Sequence, residues 1–290
     1  MRFAHLAQQL FNRPLALHPQ KAEVLMAVLA QRMGLLDLTR VARANGEVVM
    51  LEAPGELDAR DDGEERKPYD VIEGIARIDV SGTLVHKLGS LRPYSGMTGY
   101  DGIRACFVDA VADDAIKGIC LHIDSPGGDV AGCFDLVDTI ASARGRKPIH
   151  AILDEVAYSA AYAIASAADR ISVPRTGGTG SIGVILMCVD MTKWLEREGV
   201  TVNIIQFGAR KADGQPFIAL SPEARARFQA DCDTTGELFV STVARNRRLS
   251  PAAVRATEAG CFQGPDGVRA GLADAVASPA AAFRTLLASI

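Results

Sequence analysis

From residue 69 onward, short apolar runs alternate with segments whose apolar residues recur at helical spacing. The runs 71–80, 118–123 (GICLHI), 149–153, 170–173, 183–189 and 202–207 predict strands, and 102–112, 130–143, 159–168 and 192–198 predict helices. Strands that alternate with helices imply βα crossover units and a mainly parallel sheet. The strands are apolar almost throughout, which fits a sheet covered on both faces. After Phe217 the pattern turns helical, and Ser221-Pro222 and Ser250-Pro251 each read as an N-cap followed by proline at the first helical position.

The first quarter of the chain is different. Residues 21–36 place Val24, Leu25, Val28, Leu29 and Met33 on one helical face, which predicts an amphipathic helix. Residues 52–68 are acidic, contain Pro and Gly, and carry almost no large apolar side chains, a linker composition. The expected organisation is a helical N-terminal arm (1–51), an acidic linker (52–68) and a main domain (69–290). Arg2, His5, Gln8 and Gln9 interrupt the N-terminal apolar residues, so no targeting signal is read there, and the apolar run 24–36 is broken by Gln31 and Arg32. A soluble protein is expected.

Composition narrows the chemistry. The chain has 290 residues, 48% hydrophobic and 23% charged, with a formal net charge of −4, and no basic stripe suited to a phosphate backbone. Nucleic acid is therefore not an expected partner. Six cysteines stand without a CxxC pair or metal-ligand spacing, which argues against a metal site and for a reducing compartment. No cofactor motif is present either. The glycines of GTGSIGV (178–184) lack the Lys-Ser/Thr ending of a phosphate-binding loop and do not sit in a first βα turn.

Three Gly- or Ala-rich points each follow a predicted strand. In DSPGGD (124–129) the paired glycines permit a sharp turn with exposed amides at a helix start. That suits an anion such as the one formed when a peptide carbonyl is attacked, and suits a plain strand-to-helix turn equally well. In DEVAYSAAY (154–162), Ser159 at a helix start fits either an exposed nucleophile or an ordinary N-cap. GTGSIGV is the third. The histidines are poor bases for Ser159: His122 and His150 lie within predicted strands, His86 follows one, and His5 and His18 belong to the arm. Lys211, in GARKADG (208–214), fits either a solvated loop lysine or a partly desolvated base with a lowered pKa.

As an ordered set, DSPGGDV (124–130), AYSAAYAIASAAD (157–169), GTGSIGVI (178–185) and GARKADGQPF (208–217) resemble peptidase family S49, the signal peptide peptidase A type. FQGPDGVRAGLADAV (262–276) adds a weaker match. The resemblance implies an α/β fold of the Clp protease and crotonase superfamily, built of repeated ββα units with a mainly parallel sheet. It implies a serine endopeptidase with Ser159 as nucleophile, Lys211 as general base, Ser181 orienting that lysine, and the amides of Gly127 and Gly128 as oxyanion hole. No cofactor is implied. It further implies a homo-oligomeric ring in which the serine and lysine of one site come from neighbouring subunits.

Within the family, FNRPLALHP (11–19), SGTLVHKLGSLRPYSGMTGYDGI (81–103) and RKADGQPF (210–217) are similar to the minor capsid protein C type of lambda-like tailed phages. That type implies action in the host cytoplasm, within the procapsid, on scaffold or portal-associated proteins, without a membrane anchor. Its members often continue into a long C-terminal segment that includes the scaffold, whereas this sequence ends at Ile290. A stand-alone protease, a fragment and a prophage remnant all fit. The competing readings are a cellular signal-peptide-peptidase-like protease, a crotonase-fold acyl-CoA enzyme, which needs neither Ser159 nor Lys211, and a non-catalytic assembly factor.

Overall fold

The computed structural model describes residues 15–17, 67–88 and 96–290. The predicted arm helix at 21–36 and the linker at 52–66 lie outside these residues. What is described of the arm is one short strand, β1 (Leu15–Leu17).

The first expected strand is a hairpin. β2 (Asp70–Ile72) turns through Glu73 and Gly74 into β3 (Ile75–Ser81). Both turn residues have positive φ, 51° and 82°, the two-residue geometry whose twist suits antiparallel strands. The chain then repeats one unit: a long strand in a large sheet, a short strand in a second sheet, and a helix. In the first unit β3 is followed by β4 (Thr83–Val85), β5 (Met97–Gly99) and α1 (Tyr100–Ala112). In the second, β6 (Gly118–Ser125) leads to β7 (Gly127–Asp129) and α2 (Cys133–Ser142). β8 (Ile149–Tyr158) then runs into α3 (Ala160–Ser166), followed by β9 (Arg170–Val173) and β10 (Gly178–Gly180). The last part of the chain supplies α4 (Thr192–Arg197), α5 (Pro222–Arg247), α6 (Pro251–Arg255), β11 (Cys261–Gln263), α7 (Pro265–Arg269), β12 (Ala275–Val276) and α8 (Pro279–Leu287).

The large sheet runs β11-β10-β8-β6-β3-β2, with β9 paired to β8 and β12 to β9. Its central pairings are parallel, and β2 and β11 add antiparallel edges. This is the α/β architecture of ββα units expected from the sequence. Side chains follow the period of two that a pleated strand imposes. Ala76, Ile78 and Val80 of β3, Ile119, Leu121 and Ile123 of β6, and Ala151 and Leu153 of β8 face one core with α1, α2, α3 and α5. Ile75, Cys120 and Ile152 point the other way, onto Ala282 and Leu286 of α8. The second sheet, β1-β7-β4-β5, shares no strand with the large one.

α3 (AAYAIAS) is buried on every side, and its small residues let the neighbours approach closely. Tyr162 Oη donates to the Leu272 carbonyl (3.0 Å). Arg144 holds the other end of α3 by donating to the carbonyls of Ser166 (2.6 Å), Ala167 (2.8 Å) and Ala168 (2.7 Å), and it reaches Asn246 O of α5 (3.1 Å). The predicted caps form: Ser221 Oγ accepts from Ala224 N and Ser250 Oγ from Ala253 N, each at 3.1 Å.

Two expected strands are absent from the sheets. Residues 183–189 contribute a single bridge at Ile185, and 202–207 pair with nothing among the described residues. Residues 183–189 are half-buried, whereas the apolar side chains of 202–207 stay in solvent, with Ile205 at 99% and Phe207 at 101% exposure.

Replacing Arg144 with Ala leaves four carbonyls at two helix ends without their charged donor, and charge-assisted bonds are worth more than neutral ones. The expected loss is about 2 kcal/mol of unfolding free energy, measured by urea denaturation, with Arg144→Lys recovering part of it.

Candidate active site

β8 and β10 run parallel in the register Val156↔Gly178, Ala157↔Thr179, Tyr158↔Gly180. The next residue on each strand is a serine, Ser159 and Ser181, and both have φ of 54°. A positive φ in a side-chain-bearing residue is strained and is tolerated where the surroundings enforce it. Here Ser159 N donates to Gly180 O (2.9 Å) and Ser181 N to Gly260 O (2.8 Å). Ser159 thus lies at a sharp strand-to-helix corner, 1% exposed, its Oγ 3.5 Å from Gly183 O. It is the N-cap residue of α3 by position, but its hydroxyl makes no capping bond. The ordinary role of a serine at such a position is therefore not the one it has.

Across from Ser159 lies the Gly127-Gly128 turn. Gly127 has φ of 99°, and a Cβ built there would sit 2.9 Å from Ser159 Cβ and 2.9 Å from Tyr158 O. A Cβ on Gly128 would lie 1.8 Å from the Leu84 carbonyl oxygen of β4. Glycine is required at both places because backbone fills the space. Ser125, wholly buried, ties this turn to the large sheet by donating to Gly82 O (2.6 Å) and accepting from Gly127 N (3.2 Å). Tyr100 Oη at the start of α1 donates to Asp129 O (2.7 Å). Ser125 stood inside a quoted motif without a role of its own. Tyr100 likewise stood inside the quoted run 81–103, two residues ahead of the predicted helix, without a role of its own.

The structure therefore brings Ser159, Ser181, Gly127 and Gly128 together. It does not bring Lys211 to them. Lys211 is exposed in the turns that follow 202–207, and among the described residues its side chain has no hydrogen-bond or ion-pair partner. Of the two readings open for this residue, a solvated loop lysine and a partly desolvated base, its exposure in the single chain matches the first. The turn is nonetheless anchored: Ala212 is buried, and Asp213 accepts from Arg227 Nε of α5 (3.1 Å). Ser181 instead has Cys261 beside it; burial pushes that thiol up, and a hydrogen bond with Ser181 opposes the shift.

The described histidines serve elsewhere. His122 sits with Arg77 and Asp79, and the hydrogen bond from His122 holds the Asp79 carboxyl below its usual range. A serine–histidine contact does exist, His150 Nε2 to Ser172 Oγ at 2.9 Å, but both residues are 2% exposed, so no substrate reaches them. Burial, aided by Arg170, lowers the pKa of His150 to about 4. Burial raises the thiols of Cys106, Cys120 and Cys133 to about 12, which makes them unreactive packing residues. Asp274 of the weaker C-terminal motif is structural, accepting from Ile171 N (2.7 Å) and Arg247. A cleft of about 610 Å³ beside α1 and α2 is lined by His86, Arg104, Gly132 and Asp135, among others, and by neither Ser159 nor Gly127.

With this geometry established, comparison with known proteins is decisive. The family model of Peptidase family S49 matches residues 141–288, just over half of the chain. The chain belongs to peptidase family S49. The Clp protease model also matches, over residues 100–177. Among relatives, the chain is 43% identical over 276 residues to the "Head-tail preconnector protein GP5" of Enterobacteria phage P21, covering 93% of this chain and 54% of that protein. It is 40% identical over 273 residues to the "Capsid assembly protease C" of Escherichia phage lambda, covering 93% and 62%. A "Putative signal peptide peptidase SppA" of Enterococcus faecium is 30% identical over 166 residues, 57% of this chain and 48% of that one. This S49 chain spans between half and two thirds of the length of the two phage relatives. Among the described residues, no helix is long and apolar enough to cross a membrane.

Gly128→Ala drives a methyl group into the Leu84 carbonyl, and the expected cost is about 3 kcal/mol. Unfolding titrations measure it, and any activity that depends on this turn should vanish with it. His150 gives a pH signature. Its pKa is about 4 in the fold against about 6.5 in the unfolded chain. Between those values the unfolded state binds more protons, so stability falls as pH drops, by about 3 kcal/mol over the window. Urea midpoints measured from pH 7 to pH 4 should show that slope in the wild type and a shallower one in His150→Gln.

Proposed function

We propose that this S49 chain is a serine endopeptidase acting through a Ser–Lys dyad, Ser159 and Lys211. The observation that carries the reading is the conformation of Ser159: a nearly buried hydroxyl, on a residue held at positive φ, that makes no capping bond and only a long 3.5 Å contact with Gly183 O, with Gly127 beside it. Neutral Lys211 takes the proton of Ser159 Oγ, which attacks the peptide carbonyl. Ser181 orients the lysine, and the amides of Gly127 and Gly128 receive the oxyanion. The Gly127 amide now donates to Ser125 over a long 3.2 Å, a bond that a full negative charge outcompetes. Lysine protonates the departing amine, and water hydrolyses the acyl-enzyme.

The exposed position of Lys211 supports a site completed by a neighbouring subunit in a homo-oligomeric ring. The segment leading to it carries Ile205 and Phe207 almost wholly in solvent, an arrangement that a second copy would relieve. Assembly would also desolvate Lys211 and so favour its neutral form. The names of the two phage relatives support a role in phage head assembly; scaffold or portal-associated proteins as substrates, met in the host cytoplasm, complete the proposed reading.

Co-expression with a scaffold or portal partner tests the dyad. Ser159→Ala and Lys211→Ala should each lower cleavage by about 10⁴-fold or more, and a cut partner in both variants would overturn the assignment. Mixing the two inactive variants should restore activity if the residues come from different subunits. No recovery in demonstrated mixed oligomers would sink the shared site.

A further inference from the structure

β1 does not pair with a strand of the large sheet. It lies antiparallel on β7, the strand that holds the two glycines, in the register Leu15↔Asp129, Ala16↔Gly128, Leu17↔Gly127. A peptide substrate recognised by strand addition would take this place, because β7 begins beside Ser159 and main-chain pairing holds a peptide whatever its side chains. Ala16 is wholly buried. Its carbonyl oxygen lies 2.4 Å from the point where a Gly127 Cβ would be, and Ser159 Cβ lies 2.9 Å from the same point. The Ala16 carbonyl and the serine therefore flank one small space at the turn whose amides are proposed to receive an oxyanion.

We propose that Leu15–Leu17 is a built-in substrate of this chain's own site and that the Ala16–Leu17 peptide bond is where the enzyme cuts itself. The inference rests on the Ser159–Lys211 reading. Ser159 Oγ adds to the Ala16 carbonyl carbon while Lys211 takes its proton. The C–N bond to Leu17 breaks as the same lysine returns the proton to the leaving nitrogen, and water releases Ala16 as a carboxylate. The products are a peptide ending at Ala16 and a chain with Leu17 as its new N-terminus. Until the cut is made, β1 covers the edge on which another substrate would pair. In the single chain Lys211 is not at the serine, so the bond persists there. Ala16 lies opposite Gly128 and is wholly buried, so a small residue suits this place.

The test follows the full-length protein during incubation, by intact mass and N-terminal sequencing, with casein present as an independent substrate. The expected result is a new N-terminus at Leu17 in the wild type and an intact chain in Ser159→Ala. Ala16→Lys, its fold checked by circular dichroism, should abolish the cut at this bond. Casein degraded by the wild type but not by Ser159→Ala, with residues 15–17 left joined, would overturn self-processing and leave the peptidase reading standing. A self-cut at another bond, with Ala16–Leu17 intact, would overturn it as well. Failure to cut either casein or itself, with oligomers demonstrated, would remove the peptidase reading and self-processing with it.

Discussion

Three stretches of chain converge on Gly127 and Gly128: Leu84 of β4, Ala16 of β1, and Tyr158 with Ser159 at the end of β8. None leaves room for a β-carbon, and much of the site follows from that crowding. β7 lies close against β4 because Gly128 has no side chain. The second sheet therefore reaches the end of the large one at the place where β8 delivers Ser159. The strain at Ser159 is the other side of the same arrangement. A serine at φ of 54° costs of order 1–3 kcal/mol, and that cost is offset by the burial of α3 on all sides and by the amide bond to Gly180 O. With both ends of α3 tied, by Arg144 and by the β8 corner, the hydroxyl cannot relax into an ordinary capping position.

The large sheet was legible because its strands answer to local rules. Residues 170–173 form a strand with the predicted bounds, since a short apolar run between turn residues has few other uses. β2 and β3 were read as one strand because Glu-Gly is a weaker turn signal than Asn-Gly or Asp-Gly. The run 202–207 misled for a more physical reason: its apolar residues signal burial, and the fold of one chain does not bury Ile205 or Phe207. Within the site, Ser159 stood out only through the motifs around it, since a serine at a helix start is usually a cap. That Gly128 meets the Leu84 carbonyl, or that Ala16 lies on β7, depends on segments more than forty residues apart in sequence. No local pattern encodes such contacts.

The energetics tie the exposed segment to the catalytic proposal. Burying side chains the size of Ile and Phe is worth about 1.5–3 kcal/mol each, so leaving both in water is a standing cost to the isolated chain. A contact that recovers it would act on the same stretch that carries Lys211, held at its base by Asp213 and Arg227. On the proposed reading, the free energy of association and the delivery of the base are then one event. A lysine in water is protonated and cannot accept the serine's proton, whereas desolvation at an interface lowers its pKa. Activity would thereby depend on assembly without any change in the shape of the serine corner.

The two proposals together describe one order of events. β1 lies on the strand that a substrate would use, and Lys211 stands away from the serine in the same chain. If the base were present in the single chain, β1 would be cut as it folded; if β1 were absent, an assembled site would be open from the start. With both conditions as they are, the substrate position is filled by the chain's own Ala16 until the lysine arrives. The first carbonyl presented to the completed dyad is then already paired, antiparallel and in register, so entropy that a free peptide would lose on binding has been spent during folding. Self-cleavage would come before cleavage of any other protein, because a tethered strand competes at an effective concentration that a diffusing substrate does not reach.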